Sequence, residues 1–161
     1  MPSGRAHRLL SLFSGDYARA DGLMPELRKL GWTEVVQMDN DGETGGGWAH
    51  DLLNDATFTK ILADAKAGKF DAVMIAFPCS TFAITRFFDA TNDEGGDRGP
   101  PVIRDIDFPD GLPEGQIDPK HVRELQASNE LLKRTAAIAI AARQSPARAT
   151  IIVENLSLIH I

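Results

Sequence analysis

The chain contains one cysteine, Cys79, which follows a proline at the end of the apolar run "FDAVMIAF" (Phe70–Phe77). A thiol there has two uses. Buried, it is a small hydrophobe. Held accessible with a lowered pKa, it is a nucleophile. A Pro-Cys just past an apolar strand is poorly placed for a core, which favours the nucleophile. Arg86 follows at a spacing too long for the loop of a cysteine phosphatase, and no glycine between them turns amides toward a phosphate. Three other places carry polar chemistry. "FSG" ends in Gly15, where a ligand can approach the backbone and a helix N-terminus favours negative charge; a plain turn needs the same residue. "MDND" offers Asp39 and Asp41, either of which can accept hydrogen bonds from a ribose hydroxyl or close a turn. Asp51 can reach an adenine amino group or cap a turn. His50 precedes it without a second ligand at metal-like spacing, so no metal is expected.

These residues need elements to deliver them. Arg8–Gly15 reads as a buried strand running into a turn. Tyr17–Leu30 reads as a helix with Leu23, Leu27 and Leu30 at helical spacing and Gly31 as the stop. Thr33–Asp41 reads as a second strand, followed by the glycine-rich "GETGGGW". Asn54 or Asp55 caps a helix to about Lys66, with Phe58, Ile61, Leu62 and Ala65 inward and Gly68 ending it. Phe70–Phe77 is a third strand. Asp89–Asp118 is a long loop rich in Gly, Pro and Asp, a length that is usually functional or disordered. Asp118-Pro119 pairs an N-cap with proline at the first helical position. That helix is expected to reach about Gln144, with Val122, Leu125, Leu132, Ala136 and Ile140 on one face. "ATIIVEN" (Ala149–Asn155) is a fourth strand. Alternating helices and apolar strands predict an α/β, mainly parallel sheet with helices on both faces. Ligands bind such sheets beyond the carboxyl ends of the strands. Gly15, Asp39, Asp41, Cys79, Glu154 and Asn155 all fall at or just past those ends.

Composition sets outer bounds. With 161 residues the chain suits one domain. A net charge of −6 argues against a wholly basic nucleic-acid coat but leaves room for a local DNA-binding face. One cysteine excludes an internal disulfide and a cysteine-cluster zinc site, in keeping with a reducing, cytoplasmic setting. "LLSLF" is too short for a signal-peptide core, and no apolar run approaches the ~20 residues of a membrane span.

Taken in order, "LLSLFSG", "MDND", "HDL", "FDAVMIAFPCSTF" and "IIVEN" resemble the cytosine-C5 DNA methyltransferases, in a divergent, phage-like branch with a long Gly/Pro insert after Pro-Cys. The resemblance spans most of Arg8–Asn155 and implies a Rossmann-like fold. It also implies S-adenosylmethionine as cofactor and DNA, through a flipped cytosine, as partner, in the setting of DNA methylation and restriction-modification. By the same resemblance Phe13 and Gly15 hold the cofactor in a Phe-x-Gly turn. Asp39, or alternatively Asp41, binds its ribose, Asp51 its adenine, and Pro78 lies beside it. Cys79 is the nucleophile, Glu154 and Asn155 hold the base, and Ser80 and Arg86 lie on the substrate side. Ala76-Phe77 stands where the family has a small Gly-Pro, Ser80 where Gln is common, and Asp16-Tyr17-Ala18 where glycines are usual.

The chemistry explains the residue types. Cytosine C5 is a poor nucleophile until a thiolate adds at C6, which splits one hard step into two easier ones. A carboxyl group near N3 then hydrogen-bonds or protonates the ring as charge builds there. The Asp89–Asp118 loop reads as a lid beside Cys79, with Arg86, Arg98 and Arg104 as candidate DNA contacts. The family's later segments are absent, so residues 1–155 are expected to be a partial catalytic domain, truncated after about four strands and inactive as it stands. "LSLIHI" (Leu156–Ile161) matches a peptide encoded by a transposon-end sequence and reads as a non-native tail. Two rivals remain open: a catalytically inactive methyltransferase-like protein that binds DNA or nucleotide, and an unrelated α/β nucleotide-binding protein.

Overall fold

A computed structural model of the chain describes residues 7–20, 22–78, 80–82, 86, 100–113 and 115–154. It divides into two compact units. The first comprises the described residues up to Phe77 and from Leu131 to Glu154; the second comprises those from Pro78 to Glu130.

In the first unit, strands β1 (Arg8–Leu12), β2 (Glu34–Met38), β3 (Ala72–Ala76) and β4 (Thr150–Glu154) form one all-parallel sheet in the order β2-β1-β3-β4. The expected parallel α/β architecture is therefore present. Its strands are shorter than the apolar runs that signalled them. Register sorts the side chains into two faces. Leu10 and Leu12 share one face with Met38, Val73 and Ile75. That face packs against Ile61 and Ala65 of α2 (Asp55–Lys66) and Ile138 and Ala142 of α3 (Pro119–Gln144). Ser11, Gln37 and Met74 occupy the other face, where Met24 of α1 (Leu23–Lys29) approaches them. Helices thus lie on both faces, as right-handed crossovers in this strand order require. β4 is an edge strand, and its Val153 is 61% exposed.

α2 forms where its signals sit. The Asn54 side chain accepts a hydrogen bond from the Ala56 N–H, and Gly68, at φ +69°, closes the C-terminus. α3 begins as expected, with Asp118 accepting from the Lys120 N–H and Pro119 in the first turn.

Two elements differ from expectation. α1 starts only after Gly22 and spans seven residues, because residues 13–20 spend their amides on a turn network described below. Leu125 of α3 is buried as expected, but the helix turns a different face inward further along. Leu131, Thr135, Ile138 and Ala142 face the core, while Leu132 is 42% and Ile140 56% exposed. "TAAIAIAA" is apolar on every side, so periodicity alone does not select its face. Thr135 tolerates burial because its Oγ1 donates to the Leu131 carbonyl at 2.7 Å.

The second unit has its own small core of Ile103 and Leu125, with Thr81, Arg86 and Arg104 buried as well. Thr81 Oγ1 meets Ser128 Oγ at 2.7 Å, which satisfies both hydroxyls. Among the described residues no helix is long and apolar enough to cross a membrane.

Candidate functional site

The chain runs outward from β1 to β2 and then returns to place β3 on the other side of β1. The strand order reverses there, and in open α/β sheets the crevice at the carboxyl ends of two such strands is where ligands bind. A cavity of about 240 Å³ occupies this place in the first unit. Ser11, Phe13 and Ser14 line it from β1 and its turn, Met74 and Ala76 from β3, and Glu154 from β4. Ala76 and Glu154 are register partners, so the strand that leads into Pro78-Cys79 ends beside the carboxylate. Glu154 is exposed.

The turn after β1 is held in an uncommon conformation. Phe13 has φ +60°, a left-handed backbone that bulky residues avoid. Its N–H and that of Ser14 both donate to the Met38 carbonyl, at 2.7 and 3.2 Å. Its ring meets Phe77 edge-on at 5.6 Å. Gly15 follows at φ +69°, which glycine adopts freely. The Ser14 hydroxyl is buried on the cavity wall and faces the Tyr17 phenol.

Asp39 and Asp41 separate clearly. Asp39 Oδ2 accepts the Gly15 N–H at 2.9 Å, and its Oδ1 accepts the Asp41 N–H at 3.0 Å. Asp41 serves its own loop: one oxygen accepts the N–H groups of Thr44 and Glu43 and the Thr44 hydroxyl. Those amides hold its carboxyl below the usual carboxylate range. Asp39 is thus the acid joined to the β1 turn. Asp51 accepts the Leu53 N–H at 2.8 Å and caps the turn into α2. The glycine-rich loop packs tightly on these groups: a Cβ on Gly46 would fall 2.0 Å from His50 Nδ1. His50 in turn meets the Tyr17 hydroxyl at 2.6 Å. Burial pushes the Tyr17 phenol up from its usual value, and the nearby Asp39 charge adds to the rise.

The second unit places the remaining candidates. Arg86 is 7% exposed, and its guanidinium donates to the carbonyls of Ser80 and Pro101 and to Glu124. His121 Nδ1 meets the other Glu124 oxygen at 3.2 Å. Arg104 is 5% exposed, donates to Pro109 O and Asn129 Oδ1, and lies 3.9 Å over the Phe82 ring. Burial pulls its pKa down. These arginines fasten loop to helix: Arg86 has protein partners on all three guanidinium nitrogens and Arg104 on two. The described C-terminal part of the expected lid is anchored by buried Ile103. Pro78 and Ser80 are exposed. Cys79, Arg98 and Asn155 lie outside the described residues.

Ser14 and Tyr17 are the site residues that sequence reading missed. Tyr17 acts through partners far away in sequence, and only the departure from glycine at position 17 hinted at it. A larger depression, about 480 Å³, lies between α2 and α3. Lys66 is its only charged group and half of its lining residues are alanine, leucine or isoleucine, so it offers little for catalysis. Among the described residues no three His, Cys, Asp or Glu side chains gather as a metal site. Comparison with protein-family models, with curated proteins and with solved structures finds no match to this chain.

Proposed function

We propose that this chain carries the cofactor-binding and nucleophile-bearing part of a DNA cytosine-C5 methyltransferase. The observation that supports this most is the cavity at the β1/β3 reversal, bounded by Glu154 where β3 leads toward Pro78-Cys79.

The residues fit S-adenosylmethionine. Ser14 has a buried hydroxyl on the cavity wall, Gly15 leaves the backbone open to approach, and Asp39 stands at the end of the adjacent strand. The cavity is just under the ~300–1,000 Å³ of typical ligand pockets, so a ligand of that size extends past its walls. When bound, the cofactor supplies an electrophilic methyl group. Phe13, Ser14, Gly15 and Asp39 hold and orient it; Asp51, engaged in its turn, is the weaker candidate for the adenine.

Cys79 supplies the nucleophile. Its thiolate bonds to cytosine C6, and the ring electrons make C5 nucleophilic. Glu154 stabilises the charge that develops at N3, with Asn155 positioning the base. Once C5 is alkylated, loss of its proton expels the thiolate and restores the aromatic ring. The cytosine must leave the duplex stack to reach such a site.

A DNA duplex bearing 5-fluorocytosine tests this, because fluorine blocks the final proton loss. With S-adenosylmethionine present, intact-mass spectrometry on the chain completed with the family's later segments should find a covalent protein–DNA adduct that maps to Cys79 and is missing in Cys79→Ser. Cofactor binding without an adduct would leave the inactive, nucleotide-binding relative as the better reading.

A further inference from the structure

Tyr17 is the only tyrosine in the chain and lines the cavity. Its hydroxyl oxygen lies 2.8 Å from the Asp39 main-chain nitrogen, 3.1 Å from the Gln37 carbonyl oxygen and 2.6 Å from His50 Nδ1. The Asp39 N–H donates to that oxygen. The phenolic proton goes to Gln37 or to His50, and in either case the oxygen keeps a lone pair for Asp39. The Tyr17 N–H donates to the Thr44 carbonyl at 3.0 Å. One residue therefore grips both ends of residues 39–44. Between those grips, Asp39 Oδ2 reaches the Gly15 N–H.

We propose that Tyr17 is a positioning residue for a ligand that extends from this cavity past its walls to Asp39: its hydroxyl and main chain hold that carboxylate against the Gly15 turn, ready to accept from ligand hydroxyls. The inference rests on the cofactor reading of the cavity given above. Phenylalanine at this position keeps the ring and its packing but leaves the Asp39 N–H without its acceptor. The carboxylate then has to be ordered when the ligand binds, which costs affinity.

The test is a double-mutant cycle read by calorimetry with S-adenosylhomocysteine. Tyr17→Phe should weaken binding about tenfold, the low end for a lost hydrogen bond to a charged group. In an Asp39→Ala background the same change should have almost no effect, because the carboxylate it orients is gone. Equal affinity of the original chain and Tyr17→Phe overturns the inference alone, as does the same loss in both backgrounds, which marks a general structural role. No binding by the original chain overturns the proposed function and this inference with it. Should Tyr17→Phe fail to fold, carbon-13 labelling of tyrosine Cζ gives a single resonance in the unmutated chain. A shift on ligand addition supports the inference; an unmoved resonance overturns it.

Discussion

The Gly15 amide donates to Asp39 Oδ2 at 2.9 Å, so the turn after β1 is bonded to the acid after β2. These residues lie 24 positions apart, and the bond joins the two loops that flank the candidate ligand site. It also distinguishes Asp39 from Asp41, whose carboxylate is turned to Glu43 and Thr44.

The first prediction follows from that distinction. Asp39→Ala should weaken S-adenosylmethionine binding by ~1.5–3 kcal/mol, the worth of a hydrogen bond to a charged group. Asp41→Ala should disturb the glycine-rich loop and cost less affinity. Calorimetry on both variants gives the comparison, and the reverse order would assign the ribose to Asp41.

Gly46 tests the packing behind Asp39. Its φ is ordinary, but a Cβ would collide with the His50 ring. Gly46→Ala should therefore displace His50 from Tyr17 and destabilise the fold by ~1–3 kcal/mol, as overpacking does. Urea unfolding measures the loss.

Arg86 is predicted to matter for stability rather than for DNA. Removing one partner of a buried ion pair costs ~3–5 kcal/mol. Glu124 remains about one-third exposed, so Arg86→Ala should fall at the low end of that range. Arg86→Lys should rescue little, since one ammonium cannot reach three separate acceptors as the planar guanidinium does. Denaturant titration of both variants checks this.

Acid should unfold the chain partly through Asp64. The Lys69 ammonium bonded to this carboxylate holds its pKa below the usual value; burial opposes it more weakly, and Lys60 adds to the lowering. A carboxylate with a depressed folded-state pKa stabilises the fold above its unfolded pKa of ~3.9 and loses that contribution as pH falls through the folded value. The melting temperature should therefore drop more steeply below about pH 4 than in Asp64→Asn.

Glu154→Gln should slow adduct formation with fluorocytosine DNA by ~10²–10⁴-fold while leaving cofactor affinity nearly unchanged, as loss of a general acid does. Quenched-flow mass spectrometry reads the rate; an unaltered rate would remove Glu154 from the chemistry.

Much of the scaffold was legible in the sequence because its signals are local. Asn54 and Gly68 bracket α2, Asp118-Pro119 opens α3, and four apolar runs mark four strands, since capping and burial are written in neighbouring residues. The placement of Gly15, Asp39 and Glu154 at strand ends followed from the same runs. Only the tertiary structure decided the rest. α3 is apolar all round, and contact with the sheet chose Ile138 over Ile140. The segment from Tyr17 has helical spacing, yet the Thr44 carbonyl takes the Tyr17 amide and α1 begins only after Gly22. Asp39 and Asp41 are alike as letters and differ only in which amides lie within reach. That Arg86 is held by Ser80, Pro101 and Glu124 could not be read from its position in the sequence. Tyr17 gained its role from three partners, all at least 20 positions away, and hydrogen bonds over that separation exist only once the sheet has brought the loops together.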